Sequence, residues 1–213
     1  MAAKNLRLVY FDIRGTHLSL TIMPPRAAAS PFRRFDDNED QWVGLKQDFC
    51  FRQIPCLFEE EKQIVQTGAI MRHLARKLNL YGSNKEEATH LDVFYEGLRD
   101  LHEKYVRLIY TEYEEKKEEF IEKVYPNAWA IFESLLKRFD EGKSFVLGEG
   151  KLSFVDYVLY EELDIATSLD PSCLENFEAL RGFHQRFSER PNIQKRISTR
   201  RVMKIPVNGN GKQ

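Results

Sequence analysis

The chain has 213 residues, 42% of them apolar and 31% charged, with a formal charge of −1. This length builds one large domain or two modest ones with full cores, and the balanced charge excludes a surface that is basic or acidic throughout. No apolar run reaches the roughly 20 residues of a membrane span, and the opening Met1-Ala-Ala-Lys-Asn-Leu-Arg lacks the apolar centre of a secretory signal, so a cytoplasmic protein is expected.

Taken in chain order, Leu6–Phe11 reads as a strand that runs into Tyr10-Phe11-Asp12-Ile13-Arg14-Gly15. The next stretch conflicts with itself. A strand–helix alternation calls for a helix over Thr16–Ala29, yet Leu18, Leu20 and Ile22 alternate with polar residues, which is a strand period. Pro24-Pro25 then interrupts any helix, at about 3 kcal/mol for an interior proline.

Short strands follow at Phe32–Phe35, Cys56–Phe58 and Ile64–Val65. With helical stretches between them they make an α/β unit. Between residues 53 and 67 the chain sets three receptors side by side. An extended backbone at Ile54 can pair with a bound peptide as an added strand does. A helix opening at Gln66-Thr67 offers free N–H groups and a positive dipole end to a carboxylate, and Thr67 can cap it or donate to the same anion.

Leu80-Tyr81-Gly82-Ser83-Asn84 is a turn cluster and reads as a linker. Beyond it the period changes to that of a helix: Leu91, Phe94, Tyr95, Leu98, Leu101, Tyr105, Leu108 and Ile109 recur at spacings of three and four. The charged run Glu112–Lys123 is the solvated face of a helix, and Trp129, Ile131, Phe132, Leu135 and Leu136 restore an apolar face. Further helices are expected at about Phe154–Ser168 and Glu175–Phe187, so this second unit is all-α. Ser153 followed by Asp156 opens the first of these as a capping box. The tail Gly209–Lys212 is polar and expected to be loosely held.

Cys50, Cys56 and Cys173 are too few and too scattered for a disulfide framework and read as free thiols. His17, His73, His90, His102 and His184 form no ligand-spaced set, so no metal is expected.

Several patches resemble one family. Tyr10-Phe11-Asp12-Ile13-Arg14-Gly15 is similar to the first-strand motif of tyrosine-type glutathione transferases. The stretch Asp92–Tyr113, Phe183–Ile193 and the ending Val207-Asn-Gly-Asn-Gly-Lys-Gln213 resemble the pi class, nematode members in particular. The resemblance implies a thioredoxin-like glutathione-binding domain over 1–80 and an all-helical domain with a hydrophobic substrate pocket over 85–213. It also implies a homodimer, with glutathione as co-substrate, no other cofactor, and no nucleic-acid or membrane partner.

Residue by residue, the resemblance makes Tyr10 the catalytic group. Only a thiolate attacks an electrophile, and a phenol O–H donated to the sulfur favours that form. Trp42 and Lys46 are implied to hold the glycyl carboxylate, and Gln53 and Ile54 to meet the cysteinyl backbone beside a cis Pro55. Gln66 and Thr67 take the γ-glutamyl carboxylate, and Asp100 reaches the glutamyl amine bound by the neighbouring subunit. Phe11, Ile13, Val106, Tyr110, Asn208 and Gly209 match the electrophile pocket, and Phe51 matches the aromatic key that enters the partner.

The chain also departs from the pattern. Thr16 stands where relatives have a basic or bulky residue, Phe49 falls on the position of a reactive cysteine, and Arg52 replaces a small residue. The irregular 16–40 segment supports a second reading, a non-catalytic glutathione-fold protein that binds hydrophobic ligands.

Overall fold

The structure is a computed structural model that describes residues 6–11, 33–35, 44, 46–203 and 206–212. Four strands form a mixed sheet: β1 (Leu6–Phe11), β2 (Arg33–Phe35), β3 (Cys56–Glu59) and β4 (Lys62–Val65) in the order β2-β1-β3-β4. β2 runs parallel to β1, while β3 and β4 are antiparallel neighbours. The irregular 16–40 segment lies outside the described residues, except for the three of β2.

Helix α1 (Thr67–Lys77) packs Ile70, Met71, Leu74 and Ala75 inward. The long helix α2 (Lys85–Arg107) starts at Asn84, whose side chain accepts the Glu87 N–H, and buries Leu91, Phe94, Leu98 and Leu101. A wide π-helical turn, Leu108–Glu112, joins it to α3 (Tyr113–Glu119), and a second such turn, Phe120–Val124, leads to α4 (Tyr125–Leu136). α3 buries no residue, as its charged sequence requires. Three more helices follow: α5 (Phe154–Leu169), α6 (Glu178–Ser188) and α7 (Pro191–Met203). The architecture is a thioredoxin-like α/β unit followed by an all-α bundle.

The bundle core gathers Phe94, Leu98, Trp129, Phe132, Leu159, Leu163, Leu180 and Phe183. α1 is pinned to α2 by polar contacts. Arg72 pairs with Asp92 at 2.7 Å and with Glu96, and the Tyr81 hydroxyl donates to Asp92.

α5 opens on the expected capping box. Asp156 Oδ2 accepts the Ser153 N–H and hydroxyl, each at 2.7 Å, and its Oδ1 accepts the Val146 N–H at 2.8 Å. Full burial outweighs these donors and pushes the carboxyl up to about 6.

Two expectations need correction. Helix α6 starts at Glu178 rather than 175, because residues 171–176 form turns. Its N–H groups at Ala179 and Leu180 are taken by Glu133 of α4, at 3.0 and 2.9 Å, instead of by a local cap. The tail is not loose: Asn208, Gly209, Asn210 and Lys212 all hydrogen-bond to residues between 105 and 114.

Candidate active site

The sheet register decides which candidate residues meet. Val9 of β1 pairs with Cys56 of β3, and Cys56 pairs with Val65 of β4. Because β3 runs opposite to β1 and β4, the residues one step beyond this row are Tyr10, Pro55 and Gln66. All three lie at the same end of the sheet. β1 and β4 are two strand spacings apart, about 10 Å, which matches the length of a fully extended tripeptide.

Each point of this row has local support. Val9 is buried with Phe49 and Cys56 in a small apolar cluster, which fixes the strand end that carries Tyr10. The Ile54–Pro55 bond is cis. Gln66 is the N-cap of α1 and holds φ +70, a backbone region costly for a residue with a Cβ. Its side chain makes no capping bond, so the helix start keeps its N–H groups for another acceptor. Thr67 is the first helical residue rather than the cap. Gln53 is exposed and Ile54 half-buried, next to this row.

Lys46 is exposed in a short 3₁₀ turn, Lys46–Asp48. Gln63 of β4, a residue with no motif to flag it, fastens this loop to the sheet. Its Nε2 donates to the Asp48 carbonyl at 2.8 Å, and its Oε1 accepts the Cys50 N–H at 3.1 Å. Phe49 closes the loop from below, edge-on to Phe58. Position 49 is thus filled by a packed phenyl ring. Trp42 and Ile13 lie outside the described residues, and of Phe11 only the backbone is described.

The three thiols are free. Burial pushes Cys56 up to about 11 and Cys173 up to about 12, so both stay protonated at neutral pH. Among the described residues no cluster of His, Cys, Asp or Glu is arranged to hold a metal, and no helix is long and apolar enough to cross a membrane.

A second set of candidates meets where α2 ends. Val106 and Tyr110 are one turn apart, both exposed. The Gly209 N–H donates to the Tyr110 hydroxyl at 3.1 Å, and Asn208 lies beneath, only 6% exposed. Asp100 is separate from these. It is exposed on α2 in an apolar groove of about 530 Å³ between α2 and α4, with Val93, Gly97, Lys104, Asn127 and Ile131.

Comparison with known proteins agrees with this fold. Residues 31–76 match the family model of the glutathione S-transferase N-terminal domain, and 99–200 that of the C-terminal domain. A glutathione S-transferase of Dirofilaria immitis is 49% identical, covering 91% of this chain and 98% of its own length. Glutathione S-transferase P of Caenorhabditis elegans is 44% identical over 98% of this chain and 100% of its own. The solved pi-class glutathione S-transferase of Onchocerca volvulus superposes with a TM-score of 0.94, at 43% identity and full coverage of both chains. These relatives favour catalysis over the binding-only alternative. By identity over nearly its whole length and by its fold, the chain belongs to the glutathione S-transferase family and is of the pi-class type.

Proposed function

We propose that this glutathione transferase lowers the pKa of the glutathione thiol with the Tyr10 hydroxyl and transfers the thiolate to hydrophobic electrophiles, in the chemistry of detoxification. Each unit of depression corresponds to about 1.4 kcal/mol of preference for the charged sulfur. The observation that carries the reading is the row Val9–Cys56–Val65, which sets Tyr10, Pro55 and Gln66 along one end of the sheet. A tripeptide laid across it has Gln66, Thr67 and the start of α1 at one carboxylate, and Gln53 and Ile54 along its middle. Lys46, with Trp42, takes the other carboxylate.

Val106, Tyr110, Asn208 and Gly209, with Phe11 and Ile13, form the electrophile wall. We place the glutathione-binding domain over 1–80 and the helical domain over 85–213, with the turn cluster between them as the joint. The protein acts as a cytoplasmic homodimer. Phe51 is 60% exposed on the loop before β3, and the groove on α2 and α4 carries exposed Val93 and Ile131. An aromatic ring of one copy filling that groove in the other makes a two-fold, self-complementary contact. It also sets Asp100 against the partner's glutathione.

Conjugation of glutathione to a general aromatic electrophile tests this reading. Turnover by the Tyr10→Phe variant is expected to fall at least tenfold, about 1.4 kcal/mol or more of transition-state stabilisation. Undiminished turnover in a folded variant assigns the thiolate to another group.

A further inference from the structure

The last described residues, 206–212, return across the π-helical turn Leu108–Glu112, and they hold it at two levels. The inner level is buried or half-buried. Asn208 Nδ2 donates to the Tyr105 hydroxyl and to the Lys212 carbonyl, each at 2.7 Å. Asn210 Nδ2 donates at 2.9 Å to the carbonyl of Ile109, inside the wide turn. This bond ties residue 210 to the backbone of the turn itself.

The outer level is electrostatic. Lys212 Nζ donates to Glu114 Oε1 at 2.8 Å and sits 4.8 Å from the centre of the Tyr113 ring. Glu114 is 80% exposed and Lys212 37%. Lys117 lies 4.9 Å from the centre of the same ring and donates to the Tyr113 hydroxyl, so two ammonium groups sit against this one aromatic side chain. Between the two levels the Gly209 N–H holds the Tyr110 hydroxyl.

We propose that Lys212, Glu114 and Tyr113 form an ionic latch that sets how far the 206–212 strap closes over the electrophile wall, making Lys212 a positioning residue for substrate size. This rests on the reading that Tyr110, Asn208 and Gly209 line that wall. The inner bonds keep the strap attached, and the latch decides whether its outer end lies against α3 and holds Gly209 over Tyr110. An exposed ion pair shifts such an equilibrium by no more than about fivefold, which suits tuning rather than an on–off switch. Because its charges are in water, the latch weakens as salt screens them, whereas the inner bonds do not.

The test compares a compact with a bulky aromatic electrophile at low and high salt, using full-length wild type, Lys212→Met, the exchanged pair Glu114→Lys/Lys212→Glu, and Tyr110→Phe. In Lys212→Met, kcat/KM for the bulky electrophile is expected to rise about two- to fivefold relative to the compact one. The glutathione KM stays unchanged. Salt should raise the same ratio in wild type but not in Lys212→Met, and the exchanged pair should restore both the ratio and its salt response. A merely structural loss lowers both electrophiles alike and leaves the salt response in place, and that result overturns the latch. If Tyr110→Phe changes the electrophile kinetics while Lys212→Met does not, the latch alone falls. If neither changes them, the assignment of the wall falls first and takes the latch with it.

Discussion

The Asn208 side chain donates to the Tyr105 hydroxyl at 2.7 Å, joining residues 103 positions apart in a buried contact. Residues 206–212 are thereby tied to the helical bundle. Asn208→Ala removes this donor and the bond to the Lys212 carbonyl. It is expected to cost about 1 kcal/mol in urea unfolding and to raise KM for the electrophile more than for glutathione.

Gln63 is expected to affect glutathione binding only through the loop it fastens. It ties the Asp48 carbonyl and the Cys50 N–H to β4 and so steadies the loop that carries Lys46. Gln63→Ala should raise the glutathione KM by up to about fivefold, the equivalent of one hydrogen bond, with the electrophile KM unchanged. Steady-state kinetics with each substrate varied in turn would show it, and a matching rise in the electrophile KM would contradict it.

Phe51 is the anchor expected between subunits. Phe51→Ala should weaken association by about 2 kcal/mol or more, as truncation of a central aromatic anchor does. Sedimentation velocity over a dilution series checks this, and a variant as dimeric as wild type moves the interface elsewhere.

Asp156 is expected to serve folding. Its two oxygens take three donors in a fully buried site, so Asp156→Ala leaves two backbone N–H groups and a hydroxyl without their acceptor. A loss of about 3 kcal/mol is expected, read as a lower thermal midpoint and refolding yield. Wild-type values for both would refute the role.

His90 gives a pH dependence with a definite sign. Its ring lies edge-on to Phe94 and Phe139, and burial, with Arg138 nearby, holds its pKa below the ordinary 6.5. The unfolded chain therefore takes up a proton that the folded one resists, so this stability is present above 6.5 and lost as pH falls below it. Between about pH 8 and pH 5, wild type should lose more unfolding free energy than His90→Phe, which keeps the aromatic contacts. Equal losses in the two proteins would exclude His90 as a source.

What the sequence determined by itself was local. The strand Leu6–Phe11, the three-and-four spacing from Leu91 to Tyr105 and the Ser153–Asp156 box are each written in residues a few positions apart. Period and capping chemistry act over that range. Helix α7 also carries a local sign, a proline at its first position.

The tertiary structure decided whatever depends on two distant segments meeting. Sheet register sets Tyr10 in line with Pro55 and Gln66, and no one of the three strands encodes that row. Gln63, Glu133 and Asn210 look like ordinary surface residues in sequence. They gain roles because the fold brings them backbone groups to bond, at Asp48 and Cys50, at the start of α6 and inside the π-helical turn. The tail reads as loose for the same reason: Asn and Lys near a terminus suggest solvent, until the Ile109 carbonyl in the wide turn and the Glu114 carboxylate at the start of α3 bind them.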